Sequence, residues 1–135
     1  MLFRSALDEV AYLGLRNDIH VPLLALGAMA KTATSFLHMP EVVVAREGER
    51  DLEVDLWAIV DGRIVIGEAK KGDVLAETES EEITRCAALL RLARDLSADE
   101  FVMASGANRW KERTQRAVEE TLGRELAITW KDRLR

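Results

Sequence analysis

Asp55, Glu68 and Lys70 are the residues whose types and predicted positions could do chemistry together. Two carboxylates held side by side can bind a divalent cation, and an ammonium group beside them can stabilise an anion at the same place. Such a set is suited to metal-dependent phosphodiester chemistry. The element that must bring the three side chains together is a β-hairpin.

The hairpin is predicted from a turn signal. The dipeptide Asp61-Gly62 separates two runs rich in β-branched residues, 53–60 and 63–70. Asp-Gly in this setting is typical of a type I′ turn, because both of its central residues need a positive φ. A two-residue turn also fixes which residues of the two strands lie opposite each other.

That register places Asp55 opposite Glu68, and Glu53 opposite Lys70. Side chains alternate between the two faces of a strand, so these four are expected on one face of the sheet. Glu53 is interpreted first as an ion-pair partner of Lys70 and second as a metal ligand, because cross-strand pairs of opposite charge are common.

Composition limits the class of protein. The chain has 135 residues, 48% of them hydrophobic and 32% charged, which fits one domain with a core of its own. No apolar run approaches the length that spans a bilayer, and the single cysteine, Cys86, suits the reducing cytoplasm. The net charge of −5 is a weak footprint for a nucleic-acid binder, although residues 91–135 are slightly basic and residues 41–82 strongly acidic.

Periodicity and capping signals predict an α/β fold with the order α-β-β-β-α-β-α-β and a mixed central sheet flanked by helices. Residues 1–40 are predicted to form an N-terminal helical segment and residues 41–135 the core. The predicted elements are a helical stretch to about His38 that Pro40 ends, a strand over 41–46, the hairpin, a helix from the capping box Thr78-x-x-Glu81 to about Leu96, a strand over 100–105, a helix capped by Asn108 that stops at Gly123, and a strand over 126–130.

The first residues carry a separate hypothesis. Leu2-Phe3-Arg4-Ser5 is what the sequencing-adapter fragment CTCTTCCGATCT encodes in one frame. Under that hypothesis residues 2–5 are an artefact and the chain is the C-terminal part of a longer protein. The alternative is an ordinary N-terminus.

The order of elements, with Asp55 in the second strand and Glu68-Ala69-Lys70 ending the third, resembles the PD-(D/E)xK nuclease superfamily. Val54 stands where the family name has proline. The resemblance implies a restriction endonuclease-like fold and hydrolysis of DNA by a defence or repair module, within a longer parent protein that supplies other domains.

The resemblance also implies a cofactor and a role for each residue. Mg²⁺, with Mn²⁺ as a substitute, is expected on Asp55, Glu68 and the backbone carbonyl of Ala69, while Lys70 positions or activates the attacking water. An additional acidic ligand is expected from Glu53, Glu41 or the N-terminal acids, of which Glu9, Asp8 and Asp18 are the candidates. The candidates for phosphate contacts are Lys71, Arg109, Lys111, Arg113 and Arg116; a solvated basic helix face explains the last four equally well.

Two other functions stay open. One is an inactive nuclease-like domain that binds nucleic acid or serves as a scaffold, and the other is an unrelated α/β interaction domain. The presence of all three of Asp55, Glu68 and Lys70 favours the active enzyme. A homodimer is compatible with that activity, because cutting both strands of a duplex usually needs two active sites.

Overall fold

The computed structural model describes residues 20–134. Within them the order of elements is helix, three strands, helix, strand, helix and strand. The bounds are α1 His20–Ala30, β1 Phe36–Val44, β2 Leu52–Val60, β3 Arg63–Lys70, α2 Glu79–Leu96, β4 Glu100–Ser105, α3 Glu112–Thr121, a 3₁₀ turn Leu122–Arg124, and β5 Ala127–Lys131.

The strands form one mixed sheet in the order β1-β2-β3-β4-β5. The first three strands pair antiparallel, whereas β3, β4 and β5 pair parallel. Because β3 and β4 run in the same direction, Lys70 and Ser105 lie side by side at the carboxyl end of the sheet. The loops that follow β3 and β4 both begin at this end of the sheet.

Helices cover both faces of the sheet and divide the core into two clusters. One cluster contains buried residues of α2 and α3, such as Leu89 and Val118, packed on Phe101 and Met103 of β4. The other places α1 against the opposite face, where Leu26 belongs to the same cluster as residues of β2, β3 and β4. Strands buried on both faces need apolar residues at nearly every position, which β3 and β4 have. The predicted α/β fold with a mixed sheet between helices is therefore confirmed.

The hairpin turn is confirmed in type and length. Asp61 and Gly62 both have positive φ, 51° and 79°, and Val60 lies opposite Arg63. The Asp61 side chain is also used, because its Oδ1 accepts hydrogen bonds from the backbone N–H groups of Thr34 and Ser35, both at 2.8 Å. The turn is thus tied to the segment that leads into β1.

Several other predicted features are confirmed. Thr78 and Glu81 form a reciprocal capping box, and α2 ends at Leu96. The strand over residues 100–105 is as predicted. Cys86 lies fully buried in the α2-side core, and burial raises the pKa of its thiol to about 12. Its role is that of a small apolar side chain.

The prediction of a helix to about His38 is wrong. Helix α1 ends at Ala30, and β1 begins at Phe36, so His38 and Pro40 belong to a strand that crosses position 40. Proline is tolerated here because β1 is at the edge of the sheet, where only some of the N–H groups face a neighbouring strand. Residues 2–5 lie outside the described residues.

The predicted cap of the third helix is also wrong. Helix α3 begins at Glu112, with Lys111 as the N-cap residue. Between Asn108 and the helix, Trp110 is buried, exposing 1% of its surface, and the Lys111 N–H donates to the carbonyl of Asp73 at 2.9 Å. Burying the indole and binding the neighbouring loop delay the start of the helix. Among residues 20–134, no helix is long and apolar enough to cross a bilayer.

Candidate functional site

The candidate site begins where β2 and β3 stop pairing. The ladder runs from Val60 opposite Arg63 to Leu56 opposite Gly67, so Asp55 and Glu68 come one pair further along in the predicted register. There a side-chain contact takes the place of the backbone hydrogen bonds between the strands: the Ala69 N–H donates to Asp55 Oδ2 at 3.0 Å. This bond fixes the Asp55 carboxylate against β3.

Strand β2 also changes face at Asp55. Val54 belongs to the core on the α2 side of the sheet, whereas Leu56 belongs to the core on the α1 side. Residues two apart on a regular strand share a face, so the alternation is interrupted between them. In β1, Glu41 falls at the matching position, between the pairs Pro40–Leu56 and Val42–Val54, and has a φ of 54°.

Lys70 joins the two carboxylates. Its Nζ lies 2.9 Å from Asp55 Oδ2 and 3.3 Å from Glu68 Oε2. Burial alone would lower the pKa of this ammonium, but the charges of Glu68 and Asp55 outweigh burial and hold the pKa above its ordinary value. Lys70 is therefore a fixed positive charge at neutral pH. The three predicted residues do meet in one place.

Glu68 is fully buried and depends on an arginine that the sequence analysis did not single out. The Arg85 guanidinium donates from NH2 to Oε1 and Oε2 of Glu68 at 2.7 and 2.8 Å, and from Nε to Oε2 at 3.1 Å. Burial and the nearby charge of Asp55 raise the pKa of Glu68, while Lys70 and Arg85 oppose that shift. Two cations thus accompany two carboxylates.

The oxygen atoms of the site suit a hard divalent cation. Within residues 20–134, both hydrogen bonds that Asp55 accepts end on Oδ2, which leaves Oδ1 for another ligand. Asp55 exposes 10% and Lys70 32% of their side chains, so Lys70 is the more accessible of the two. No group of three or more His, Cys, Asp or Glu side chains gathers in the described part of the chain. The carboxylates that meet here are those of Asp55 and Glu68.

The candidates for an additional acid are placed differently. The predicted ion pair between Glu53 and Lys70 is wrong, because Lys70 pairs with Asp55 and Glu68 and the change of face at Asp55 separates Glu53 from them. Glu53 is exposed, and its backbone carbonyl accepts a bond from Arg85 NH2 at 2.8 Å. Glu41 is also exposed, at the position opposite Asp55. Glu9, with Asp8 and Asp18, lies outside the described residues.

Among the predicted phosphate contacts, Arg113 makes contacts within the fold. Its NH2 donates to the carbonyls of Ala76 and Glu77 at 2.8 and 2.9 Å, and its Nε lies 3.5 Å from Oε2 of buried Glu82. Arg116 lies 3.5 Å from Glu79 in an exposed ion pair. The remaining candidates, Lys71, Arg109 and Lys111, are exposed.

The loop after β3 is held by Glu82, a fully buried carboxylate at the start of α2. Its Oε1 accepts bonds from the Leu75 N–H at 3.0 Å and from the Thr114 hydroxyl of α3. The contacts join the loop, α2 and α3 in one polar cluster. Because it lies directly behind the loop that follows Lys70, it supports the candidate site.

Replacing Thr114 with valine is expected to lower the free energy of unfolding by about 1–3 kcal/mol, because a fully buried carboxylate loses a donor. Urea denaturation measures the change. Thr84→Val is the matched control: the Thr84 hydroxyl donates only to the Ser80 carbonyl on an exposed helix face, so its effect should stay within about 0.5 kcal/mol. Equal effects of the two substitutions would contradict a supporting role for the cluster.

Comparison with known proteins defines the fold only. No family model and no curated protein matches the sequence. Among solved structures, the chain is similar to one described as "Crystal Structure of Protein of Unknown Function AF1548", with a TM-score of 0.53 and 14% sequence identity. The match covers 83% of this chain and 58% of that chain. At this identity the likeness concerns the α/β architecture alone.

Proposed function

We propose that the chain is a metal-dependent nuclease of the PD-(D/E)xK type that hydrolyses phosphodiester bonds of DNA. The observation that carries this proposal is the meeting of Asp55, Glu68 and Lys70, with one ammonium group 2.9 and 3.3 Å from the two carboxylates. The α-β-β-β-α-β-α-β order supports the restriction endonuclease-like assignment. Defence or repair is the proposed setting, and dimerisation would place two such sites on a duplex.

The proposed metal ligands are the carboxylates of Asp55 and Glu68 and the backbone carbonyl of Ala69. These are hard oxygen donors of the kind that Mg²⁺ and Mn²⁺ prefer. When bound, the cation would lower the pKa of a coordinated water and neutralise charge on the phosphate.

Lys70 acts in this proposal as a positive charge rather than as a base. Its ammonium lies between the charges of Glu68 and Asp55, which raise its pKa in the metal-free chain, and it can donate hydrogen bonds to the attacking water or to a phosphate oxygen. A charge that is already in place stabilises the transition state without reorganisation.

Three exposed basic residues are the proposed phosphate contacts. Lys71 directly follows the site strand, and Arg109 and Lys111 lie in the segment between β4 and α3. The parallel pairing of Lys70 with Ser105 puts the beginnings of both connections at the same edge of the sheet. DNA crossing this edge would meet cations beside the acidic site, and its binding should weaken with salt.

The test is cleavage of plasmid and single-stranded DNA with Mg²⁺ or Mn²⁺. The unmodified chain should cleave, and Asp55→Ala should cleave at least about a hundredfold more slowly, because it loses both a ligand and the carboxylate that holds Lys70. Asp95→Ala is the control, since Asp95 forms an exposed ion pair with Arg46. Equal cleavage by the unmodified chain and by Asp55→Ala would refute the assignment.

A second function is favoured by one observation, the engagement of Glu68 by Arg85. If the two cations neutralise the carboxylates permanently, the chain is an inactive nuclease-like domain that binds nucleic acid or serves as a scaffold. In that case DNA binding would be salt-dependent and unaffected by divalent cations, and no variant would change cleavage.

A further inference from the structure

Arg85 and a divalent cation need the same carboxylate. The guanidinium contacts both oxygens of Glu68, and a third contact to Oε2 comes from Lys70. Glu68 exposes none of its side chain, so it has no other surface to offer a ligand. A cation that approaches Glu68 therefore meets two positive charges already in contact with its oxygens, and its coordination is favoured when Arg85 withdraws.

We propose that Arg85 competes with the catalytic metal for Glu68. In the metal-free protein the Arg85 guanidinium binds the Glu68 carboxylate, and it leaves that carboxylate when a divalent cation binds. This inference rests on the proposed function. Arg85 serves as a positioning residue, because its effect on the reaction passes through Glu68. As a consequence, the chain binds a metal more weakly than the carboxylates of Asp55 and Glu68 would in the absence of Arg85.

A surface groove beside Arg85 can accommodate the guanidinium once it has left Glu68. Arg85 exposes 24% of its side chain and lines a groove of about 420 Å³ on the surface beside the site. The groove is also lined by Arg50, Ser80 and Thr84. Because the groove is open to solvent, the guanidinium can exchange its contact with the Glu68 carboxylate for contacts with water. Leaving Glu68 therefore does not leave Arg85 as a buried, unpaired charge.

Competition between Arg85 and the metal predicts that Arg85→Met lowers the stability of the metal-free protein and raises its affinity for metal. Without metal the variant should unfold at a lower temperature, because Glu68 loses its principal cationic partner. With metal, titration calorimetry should show Mn²⁺ bound about tenfold more tightly, the order of effect that one adjacent charge has on a carboxylate. A purely structural Arg85 would lower stability and would leave metal affinity the same or weaker.

The matched control is Arg91→Met. Arg91 lies on the same helix and also pairs with a carboxylate, that of Glu49, but on the exposed surface. The Mn²⁺ affinity of the Arg91→Met variant should equal that of the unmodified chain. Arg85→Lys, which keeps the charge, should also stay near the unmodified affinity.

A measurement on the unmodified chain covers the case in which Arg85→Met does not fold. The Nε–H resonance of Arg85 should move toward the position of a solvated arginine as Mg²⁺ is added, while that of Arg91 stays in place. A resonance that does not move while the metal binds, or an unchanged affinity in a folded Arg85→Met, would overturn this inference and leave the proposed nuclease standing. If calorimetry detects no divalent binding in any variant, both proposals fail.

Discussion

Replacing Lys70 with alanine is expected to slow DNA cleavage at least about a hundredfold, the usual effect of removing one fixed charge from a transition state. Lys70 touches both carboxylates, at 2.9 and 3.3 Å, and its raised pKa keeps it charged. Divalent cations should still bind, because Asp55, Glu68 and the Ala69 carbonyl are retained and a competing positive charge is gone. Rates at saturating Mg²⁺, with calorimetry on the same samples, separate the two effects.

The control for this substitution is Lys31→Ala. Lys31 is exposed just after α1, and its neighbours Met29 and Thr32 lie beside Val60 and Arg63 at the turn end of the site strands, so its loss should change neither rate nor metal binding. Should Lys70→Ala cleave at the normal rate, Lys70 is not part of the chemistry. Should it lose metal binding together with cleavage, Lys70 serves to shape the carboxylates and not to stabilise the transition state.

Replacing Gly67 with alanine is expected to destabilise the fold by about 3 kcal/mol or more, at the upper end of overpacking effects. A Cβ at this position would lie 2.2 Å from the carbonyl oxygen of Val102 and 3.0 Å from its carbon. These are backbone atoms of the neighbouring strand, so no side-chain rotation can relieve the contact. Strands β3 and β4 would have to separate immediately before Glu68.

Gly27→Ala provides the matched control for that measurement. Gly27 lies within α1, and a Cβ there would meet nothing within 4 Å. Alanine is favoured over glycine in a helix, so this variant should be more stable by up to about 1 kcal/mol. Urea denaturation of both variants gives the comparison. A Gly67→Ala protein as stable as the original would show that the two strands have room to move apart.

The part of the site that the sequence predicts is local. Asp61-Gly62 favours a type I′ turn, because both residues tolerate a positive φ, and its two-residue turn fixes the pairing from Val60–Arg63 to Leu56–Gly67. The positions of Asp55 and Glu68 follow from that register by counting. In the same way, the capping box at Thr78 depends on residues three apart, and the helix start that it predicts is correct.

What the sequence did not predict depends on tertiary packing. Arg85 is one of several arginines in α2, and nothing in its neighbours distinguishes it from Arg91; only the packing of α2 on β3 brings it to Glu68. The change of face at Asp55 requires β1 and β2 to be irregular at matching positions, which alternation rules cannot anticipate. The effect of Pro40 depends on whether its strand is central or at an edge, which the local sequence does not show.

The two-residue turn also determines how this chain could change in length during evolution. If the turn keeps two residues, one residue inserted at Asp61-Gly62 would shift β3 by one position. Glu68 would turn toward the α1 face, and Gly67 would come to the place of the carboxylate. An insertion among the exposed residues 47–50, between β1 and β2, would leave the pairing of β2 with β3 intact. Insertions should therefore accumulate at one end of β2 and be eliminated at the other, although both ends are solvent-exposed loops.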